Sequence, residues 1–193
     1  MKSSFGPIID ASSRVQILGT SPGEASLKAG QYYAHPRNQF WDIIYRVFGE
    51  SKEDDYLDRI RFLIGNGLAL WDVCGRFDRS GSLDSNITYE SPNDVEKLLE
   101  GHPNIELVLL TSAKAEQLYL KYFRHLPIRR LRVPSPSPTP GRNIKSLPPS
   151  STKPEQVQTF IDISFFHRRA HTIVHSKSST VVGSFHLPQF RQS

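Results

Sequence analysis

The stretch that decides the fold reads Val15-Gln16-Ile17-Leu18-Gly19, followed by the turn Thr20-Ser21-Pro22-Gly23. A short apolar run that ends in a glycine- and proline-containing turn is typical of a buried strand. The glycines of such a turn let backbone amides approach a ligand closely, although many such turns serve geometry alone. In open α/β sheets, ligands bind at the carboxyl ends of the strands. The sequence therefore predicts a candidate ligand site directly after the first strand.

A crowded polar and aromatic segment follows this turn, reading Tyr32-Tyr33-Ala34-His35-Pro36-Arg37-Asn38-Gln39-Phe40-Trp41. It leads into an amphipathic helix that we predict at residues 38–48, with Trp41 in the core. A packed core has no need of such a mixture, so we interpret the segment as part of a site. The neighbouring aromatic residues are either core rings or loop rings that could stack on a nucleobase.

Asn38 permits two interpretations that are compatible with each other. It could cap the helix that follows, which is a common role for Asn at such a position. It could also act in the site, because an amide both donates and accepts hydrogen bonds and could hold a water molecule or a base edge. Asp72, at the end of a second strand (Trp71-Asp72-Val73), is likewise either a loop anchor or a group at the same edge as Asn38.

Alternating strands and helices predict an α/β fold. The strands are predicted at residues 15–18, 68–73, 105–110 and 131–133, and the helices at residues 38–48, 56–64, 94–100 and 113–123. This order favours a parallel sheet with helices on both faces. A further helix is predicted at residues 153–163, where Pro154 is tolerated in the first turn.

Length, charge and cysteine content limit the class of protein. A chain of 193 residues suits one α/β domain. The formal net charge is +5, and residues 121–193 carry 12 basic against two acidic residues. This fits contact with phosphates, with a solvated basic tail as the alternative. The single cysteine, Cys74, excludes an internal disulfide. We expect no signal peptide and no membrane span, and we expect an intracellular location.

Two segments near the C-terminus carry weaker signals. The segment Ser135-Pro136-Ser137-Pro138-Thr139, with Arg142, is stiff, basic and rich in hydroxyl groups. It suits phosphate contact and a wedge that props open a duplex, with a disordered linker as the alternative. His167, His171 and His175 share one face if that segment is helical, but further ligands are lacking and we expect no metal site.

Several motifs in their order along the chain resemble the uracil-DNA glycosylase superfamily, and specifically its hypoxanthine-DNA glycosylase branch. They are Gly19-Thr20-Ser21-Pro22-Gly23, His35-Pro36-Arg37-Asn38-Gln39-Phe40-Trp41, Ala69-Leu70-Trp71-Asp72-Val73, Gly81-Ser82-Leu83-Asp84-Ser85 and Pro134-Ser135-Pro136-Ser137-Pro138. The resemblance covers roughly residues 14–163. It implies a three-layer α/β/α sandwich around a four-stranded parallel sheet, and hydrolysis of an N-glycosidic bond after base flipping, without a metal or organic cofactor.

The resemblance also implies roles for individual residues. Asn38 would be catalytic, and Phe40 would stack on the extruded base. The other base-binding residues would be Gly19, Thr20, Ser21, Tyr33 and Asp72. DNA would be bound by His35, Arg37, Ser135, Pro136, Ser137, Thr139 and Arg142. Several branches of the superfamily place Asp or Asn in the first turn to activate water, and the presence of Thr20-Ser21 here favours hypoxanthine over uracil as the substrate.

We therefore expect a lead segment at residues 1–13, a glycosylase-like domain at residues 14–165, and a weakly ordered basic tail at residues 166–193. The expected protein is a monomeric, monofunctional glycosylase that excises deaminated bases from DNA in base excision repair. One alternative is a member of the same fold that binds DNA but has lost catalysis. Another is an α/β enzyme that acts on free nucleosides, which leaves the basic C-terminal third unexplained.

Overall fold

The computed structural model describes residues 1–137. The predicted helix at residues 153–163 and the predicted basic tail lie outside the described residues. The strands are β1 (Lys2–Ser3), β2 (Val15–Gly19), β3 (Leu68–Asp72), β4 (Cys74–Arg79), β5 (Ile87–Pro92), β6 (Leu107–Leu110) and β7 (Arg129–Arg132). The helices are α1 (Glu24–Ala29), α2 (Phe40–Phe48), α3 (Tyr56–Gly65), α4 (Val95–Gly101) and α5 (Ala113–Phe123).

The central sheet has four strands in the order β3-β2-β6-β7, and all neighbouring pairs are parallel. The register pairs Gly19 with Asp72 and Leu18 with both Trp71 and Leu110. The carboxyl ends of these strands therefore meet at one edge of the sheet. The predicted four-stranded parallel sheet is confirmed.

Successive residues of the central strands pack on opposite faces, as the two-residue period of a strand requires. Ile17 and Leu109 belong to one hydrophobic cluster, with Trp41 and Ile44 of α2 and Leu63 of α3. Leu18, Val108 and Leu110 belong to a second cluster, with Leu118 and Tyr119 of α5 and Val95 of α4. Helices thus cover both faces of the sheet, and the predicted three-layer α/β/α sandwich is confirmed.

A second, antiparallel sheet was not predicted from the sequence. Its strand order is β1-β4-β5, and β1 belongs to the segment that we expected only to lead into the domain. Strands β4 and β5 form an antiparallel hairpin. Neither strand has a continuous apolar run that would predict it, and in β4 only Cys74, Phe77 and Arg79 are buried. Helix α1 was also missed, since its six residues are too few to establish a period.

Two helix starts differ by a residue or two from the predictions. Helix α2 begins at Phe40 rather than at residue 38. Helix α4 begins at Val95 rather than at residue 94 and is capped by Asp94, whose side chain accepts a hydrogen bond from the backbone N–H of Lys97. Asn93 Nδ2 donates to the backbone oxygen of Asp72 at 2.8 Å and so fixes the end of β3. None of the helices within residues 1–137 is long and apolar enough to span a membrane.

Candidate active site

A cavity of about 500 Å³ opens at the edge where the parallel strands end. Its lining comes from the turn after β2, from the segment before α2, from the ends of β3 and β6, from the β4–β5 hairpin, and from the segment after β7. These residues include Gly19, Thr20, Ser21, Tyr33, His35, Arg37, Asn38, Asp72, Arg79, Ser82, Asp84, Thr111, Ser112, Ser135, Pro136 and Ser137. A volume of this size is within the range of small-molecule sites.

Asn38 combines the two roles that the sequence left open. Its Oδ1 accepts a hydrogen bond from the backbone N–H of Phe40 at 2.9 Å, so the side chain caps the first residue of α2. Because a backbone N–H needs an acceptor, this bond also identifies which end of the amide is oxygen. The Nδ2 group is the remaining polar end of a half-buried side chain that lines the cavity. Asn38 therefore supplies a hydrogen-bond donor to this site.

Two tyrosines, Tyr32 and Tyr33, line the cavity, whereas Phe40 does not. Phe40 is only 1% exposed, and its ring stacks on that of Tyr33 with centroids 3.9 Å apart. In this arrangement the Phe40 ring lies behind that of Tyr33, and its stacking on an extruded base stays a prediction. Tyr33 has a φ of 55°, in the left-handed region that costs a bulky residue energy. This backbone conformation, together with a 3.2 Å hydrogen bond between the Tyr33 hydroxyl and Thr111 Oγ1, holds the ring in place.

Asp72 forms a buried carboxyl group at the floor of the cavity. The Ser4 hydroxyl donates to its Oδ2 at 2.8 Å. Its Oδ1 occupies the space that a side chain at residue 19 would need, and the Tyr33 hydroxyl borders the same space. Burial, opposed by the Ser4 hydrogen bond, raises the pKa of Asp72 to about 7. The group is thus present in both protonation states near neutral pH, which permits it to donate as well as accept a hydrogen bond.

This pKa predicts how Asp72→Asn changes stability with pH. The folded protein keeps the Asp72 proton up to about pH 7, whereas an unfolded Asp loses it near pH 4. The free energy of unfolding therefore falls as the pH rises between these values, by at most about 4 kcal/mol. Asn carries no charge and keeps an acceptor for Ser4. We expect thermal melts to show Asp72→Asn gaining stability over the wild type at pH 8 but not at pH 4.

Asp78 of β4 provides a control for this measurement, because Asp78→Asn also removes one carboxylate, and the exposed ion pair of Asp78 with the N-terminal amine contributes little to stability. The difference in unfolding temperature between Asp78→Asn and the wild type should change little between pH 4 and pH 8. A difference for Asp72→Asn that is the same at pH 4 and pH 8 would contradict the proposed proton uptake by Asp72.

A polar network joins the turn after β2 to the β4–β5 hairpin at the cavity. Arg79, whose side chain is only 1% exposed, donates from Nη1 to Ser21 Oγ at 2.9 Å and to Asp84 Oδ1 at 3.4 Å. It also bonds the backbone oxygens of Pro22 and Gly81. Arg79 thereby ties the turn after β2 to the hairpin and places Asp84 at the cavity.

The segment after β7 lies against the segment that carries Asn38. The backbone N–H of Gln39 donates to the backbone oxygen of Pro136 at 3.1 Å. The cavity lining includes Ser135, Pro136 and Ser137 from this segment, and His35 and Arg37 from the segment before α2. The structure thus brings these five predicted DNA-binding residues to one cavity. Thr139 and Arg142 lie outside the described residues.

Sequence reasoning missed several residues that build the site. Arg79, Thr111 and Ser4 gave no recognisable sequence signal. Asp84 stood within the motif Gly81-Ser82-Leu83-Asp84-Ser85, to which the sequence assigned no role. Within residues 1–137, no three His, Cys, Asp or Glu side chains are grouped so that they could hold a metal ion. The three C-terminal histidines, at positions 167, 171 and 175, lie outside that range.

Comparison with known proteins relates this chain to a family. Residues 7–162 match the uracil DNA glycosylase superfamily. A hypoxanthine DNA glycosylase from Methanosarcina barkeri is 36% identical over 115 residues, covering 59% of this chain and 73% of that protein. A hypoxanthine DNA glycosylase from Methanosarcina acetivorans is 34% identical over 116 residues, with 60% and 73% covered. The solution NMR structure of a candidate uracil DNA glycosylase from M. acetivorans superposes with a TM-score of 0.72 at 27% identity, covering 86% of this chain and 98% of that one.

Proposed function

The chain is a DNA glycosylase of the uracil DNA glycosylase superfamily, and we propose that it hydrolyses the N-glycosidic bond of deoxyinosine in DNA, releasing hypoxanthine. The observation that carries this proposal is the amide of Asn38, whose oxygen is engaged by Phe40 and whose nitrogen remains a donor at the cavity. A leaving base needs such a donor, because its ring gains negative charge as the bond to the sugar breaks.

In the proposed reaction, the deoxyinosine rotates out of the duplex and its base enters the cavity. The bond between C1′ and N9 breaks, and the base leaves with the electron pair. Asn38 Nδ2 donates to an acceptor of the leaving base. A water molecule then forms the new bond to C1′ of the oxocarbenium-like sugar. The side chain of Asn38 needs no reorganisation, because its cap to α2 already fixes it.

The cavity floor supports hypoxanthine as the base. Hypoxanthine carries an N–H donor at N1 next to the O6 acceptor. A carboxyl group with a pKa near neutrality, such as Asp72, can accept from N1–H and, when protonated, donate to O6. Adenine presents an unprotonated N1, which only the protonated carboxyl can bond, whereas hypoxanthine can pair with both forms. Uracil also has an N–H beside a carbonyl, so we propose it as the weaker second substrate.

The rim of the cavity supports binding of the DNA backbone. Arg37 is exposed there, and Ser135 and Ser137 are exposed hydroxyl residues of the segment held against Gln39. Arginine, serine and main-chain N–H groups are common phosphate partners. We propose that these residues position the flipped strand, that the protein acts as a monomer, and that it works inside the cell on damaged DNA in base excision repair.

Tyr33 tests the stacking part of the proposal. Tyr33→Ala removes the less buried of the two tyrosine rings that line the cavity, and base stacking on an aromatic residue contributes about 1–3 kcal/mol. We expect roughly 10- to 100-fold weaker binding of a duplex that carries deoxyinosine, measured by fluorescence anisotropy. Tyr33→Phe keeps the ring and loses only the bond to Thr111, so its effect should be small. Equal losses in both variants would show that the hydroxyl, not the ring, matters.

The proposed function is tested with duplex oligonucleotides that carry one deoxyinosine, one deoxyuridine or no damaged base. After incubation, alkaline cleavage reveals abasic sites. We expect cleavage at deoxyinosine, less at deoxyuridine, and none in undamaged DNA. Salt-dependent binding without cleavage would instead favour an inactive DNA-binding member of the fold. Turnover of free deoxyinosine without action on DNA would favour a nucleoside enzyme.

A further inference from the structure

Asp84 is a carboxylate at the cavity to which the proposed reaction assigns no role. It precedes β5, in a short 3-10 turn at Asp84–Asn86. We propose that Asp84 is the general base that takes the proton of the attacking water, an inference that rests on the proposed function. The argument depends on its access to solvent, on its hydrogen-bond partners and on the charge of its neighbours.

Solvent access distinguishes the two carboxyl groups that line the cavity. Asp72 is only 4% exposed, and Ser4 bonds one of its oxygens. The Asp84 side chain is 33% exposed. A general base must reach a water molecule within hydrogen-bond distance, directly or through one other water. Among the residues that the structure describes at this cavity, Asp84 is the carboxylate that meets this condition.

A directional chain of donors ends on Asp84. The backbone N–H of Ala115, in the first turn of α5, donates to Ser112 Oγ at 2.9 Å. Thr20 Oγ1 lies 2.6 Å from Asp84 Oδ2 and donates its single proton there, so the 2.9 Å contact between Ser112 and Thr20 has Ser112 as the donor. Every group in this chain therefore points a proton toward the carboxylate. Such an arrangement orients Asp84 and favours its ionised form.

The charges around Asp84 leave it basic enough to accept a proton. Burial raises its pKa, while the Thr20 hydrogen bond and the nearby Arg79 and Lys114 oppose that rise. The other titratable groups that interact with it electrostatically are Asp72, Tyr33 and Cys74. The ion pair with Arg79 is long at 3.4 Å, and Arg79 Nη1 also bonds Ser21. Asp84 thus keeps acceptor capacity for a water molecule.

The proposed step balances without any further reactant. The bond from C1′ to N9 breaks first and its electron pair leaves with the base, and the oxygen of water then forms a bond to C1′ of the cationic sugar. One proton of that water passes to the Asp84 carboxylate, and the departing base takes up a proton from solvent. The carboxylate also lowers the energy of the positively charged sugar while it exists. Asp84 then returns its proton to water.

The test measures single-turnover release of hypoxanthine from a deoxyinosine duplex as a function of pH. Asp84→Asn keeps an oxygen for Thr20 but cannot take up a proton, so we expect about a 100-fold or greater loss of rate. Asp84→Ala should be equally slow and should regain activity with added formate, which a structural defect would not allow. Asp78→Asn, on the exposed face of the same hairpin, should behave as the wild type.

A second variant tests the proposal without changing Asp84. Thr20→Val removes the hydroxyl that bonds the carboxylate, so the acid limb of the rate profile should move to higher pH. Thr20→Ser keeps a hydroxyl group at this position, so its acid limb should lie at the wild-type pH. The proposal is overturned if Asp84→Asn keeps more than a third of the wild-type rate, if formate has no effect on Asp84→Ala, or if the Thr20→Val limb does not move. A wild-type protein that is inactive on deoxyinosine would instead refute the proposed function.

Discussion

Replacing Asn38 by Asp should abolish most base release while leaving the fold intact. An Asp side chain can accept the hydrogen bond from the Phe40 backbone N–H as well as Asn does, so the start of α2 keeps its cap. The same change removes the Nδ2 donor that faces the cavity. Loss of one preorganised donor at a site of developing negative charge costs about 10²- to 10³-fold in rate. Single-turnover assays on a deoxyinosine duplex measure this loss.

Asn38→Ala is the companion variant, because it removes the cap and the donor together. It should lose as much activity as Asn38→Asp and, in addition, about 1 kcal/mol of stability. Thermal melts of the wild type and both variants separate the two effects. If Asn38→Asp were as active as the wild type, the amide nitrogen would have no part in base release. If both variants unfolded, Asn38 would be a structural residue only.

Gly19→Ala should disrupt the floor of the cavity from the backbone side. A Cβ at this position would overlap Asp72 Oδ1 and lie 3.3 Å from the Tyr33 hydroxyl. Asp72 is buried and bonded to Ser4, so it cannot swing into solvent to make room. Overpacking of this kind costs about 1–3 kcal/mol. We expect a lower unfolding temperature together with a loss of deoxyinosine cleavage of at least tenfold.

Gly23→Ala is the matched control in the same turn. Its Cβ would meet Ser82 Oγ at 3.6 Å, which is an ordinary van der Waals contact. This variant should keep both its stability and its activity. Equal effects of the two substitutions would indicate that the turn needs glycine for its backbone conformation, rather than that residue 19 needs room for Asp72.

The layers of the fold could be predicted because parallel strands are buried on both faces and appear as apolar runs. Ile17 and Leu18 face opposite helical layers, and both are fully buried. The β4–β5 hairpin could not be predicted in the same way. Its strands hold polar residues that face solvent, and its buried Arg79 is an unexpected residue for a protein interior. Strand pairing and one guanidinium, together with the isolated buried side chains of Cys74 and Phe77, position this hairpin.

The residues of the site that stand at strand ends could be predicted from the sequence. Those whose position depends on local backbone geometry or on the hairpin could not. Gly19 and Asp72 end neighbouring strands, so the order of elements was enough to bring them together. The position of the Tyr33 ring at the cavity, stacked on Phe40, depends on a left-handed backbone at Tyr33, which no residue pattern indicates for a tyrosine. Asp84 reaches the cavity only through the unpredicted hairpin, so the sequence could not assign it a place.

Detection of the free base is the most direct test of the central claim that the Asn38 cavity releases hypoxanthine from DNA. The wild-type protein and Asn38→Asp are incubated in excess over a duplex with one deoxyinosine, and the released base is quantified by chromatography with mass detection. We predict one hypoxanthine per duplex with the wild type and at least 100-fold slower release with the folded variant. No hypoxanthine from the folded wild-type protein, or equal release by both proteins, would contradict the account.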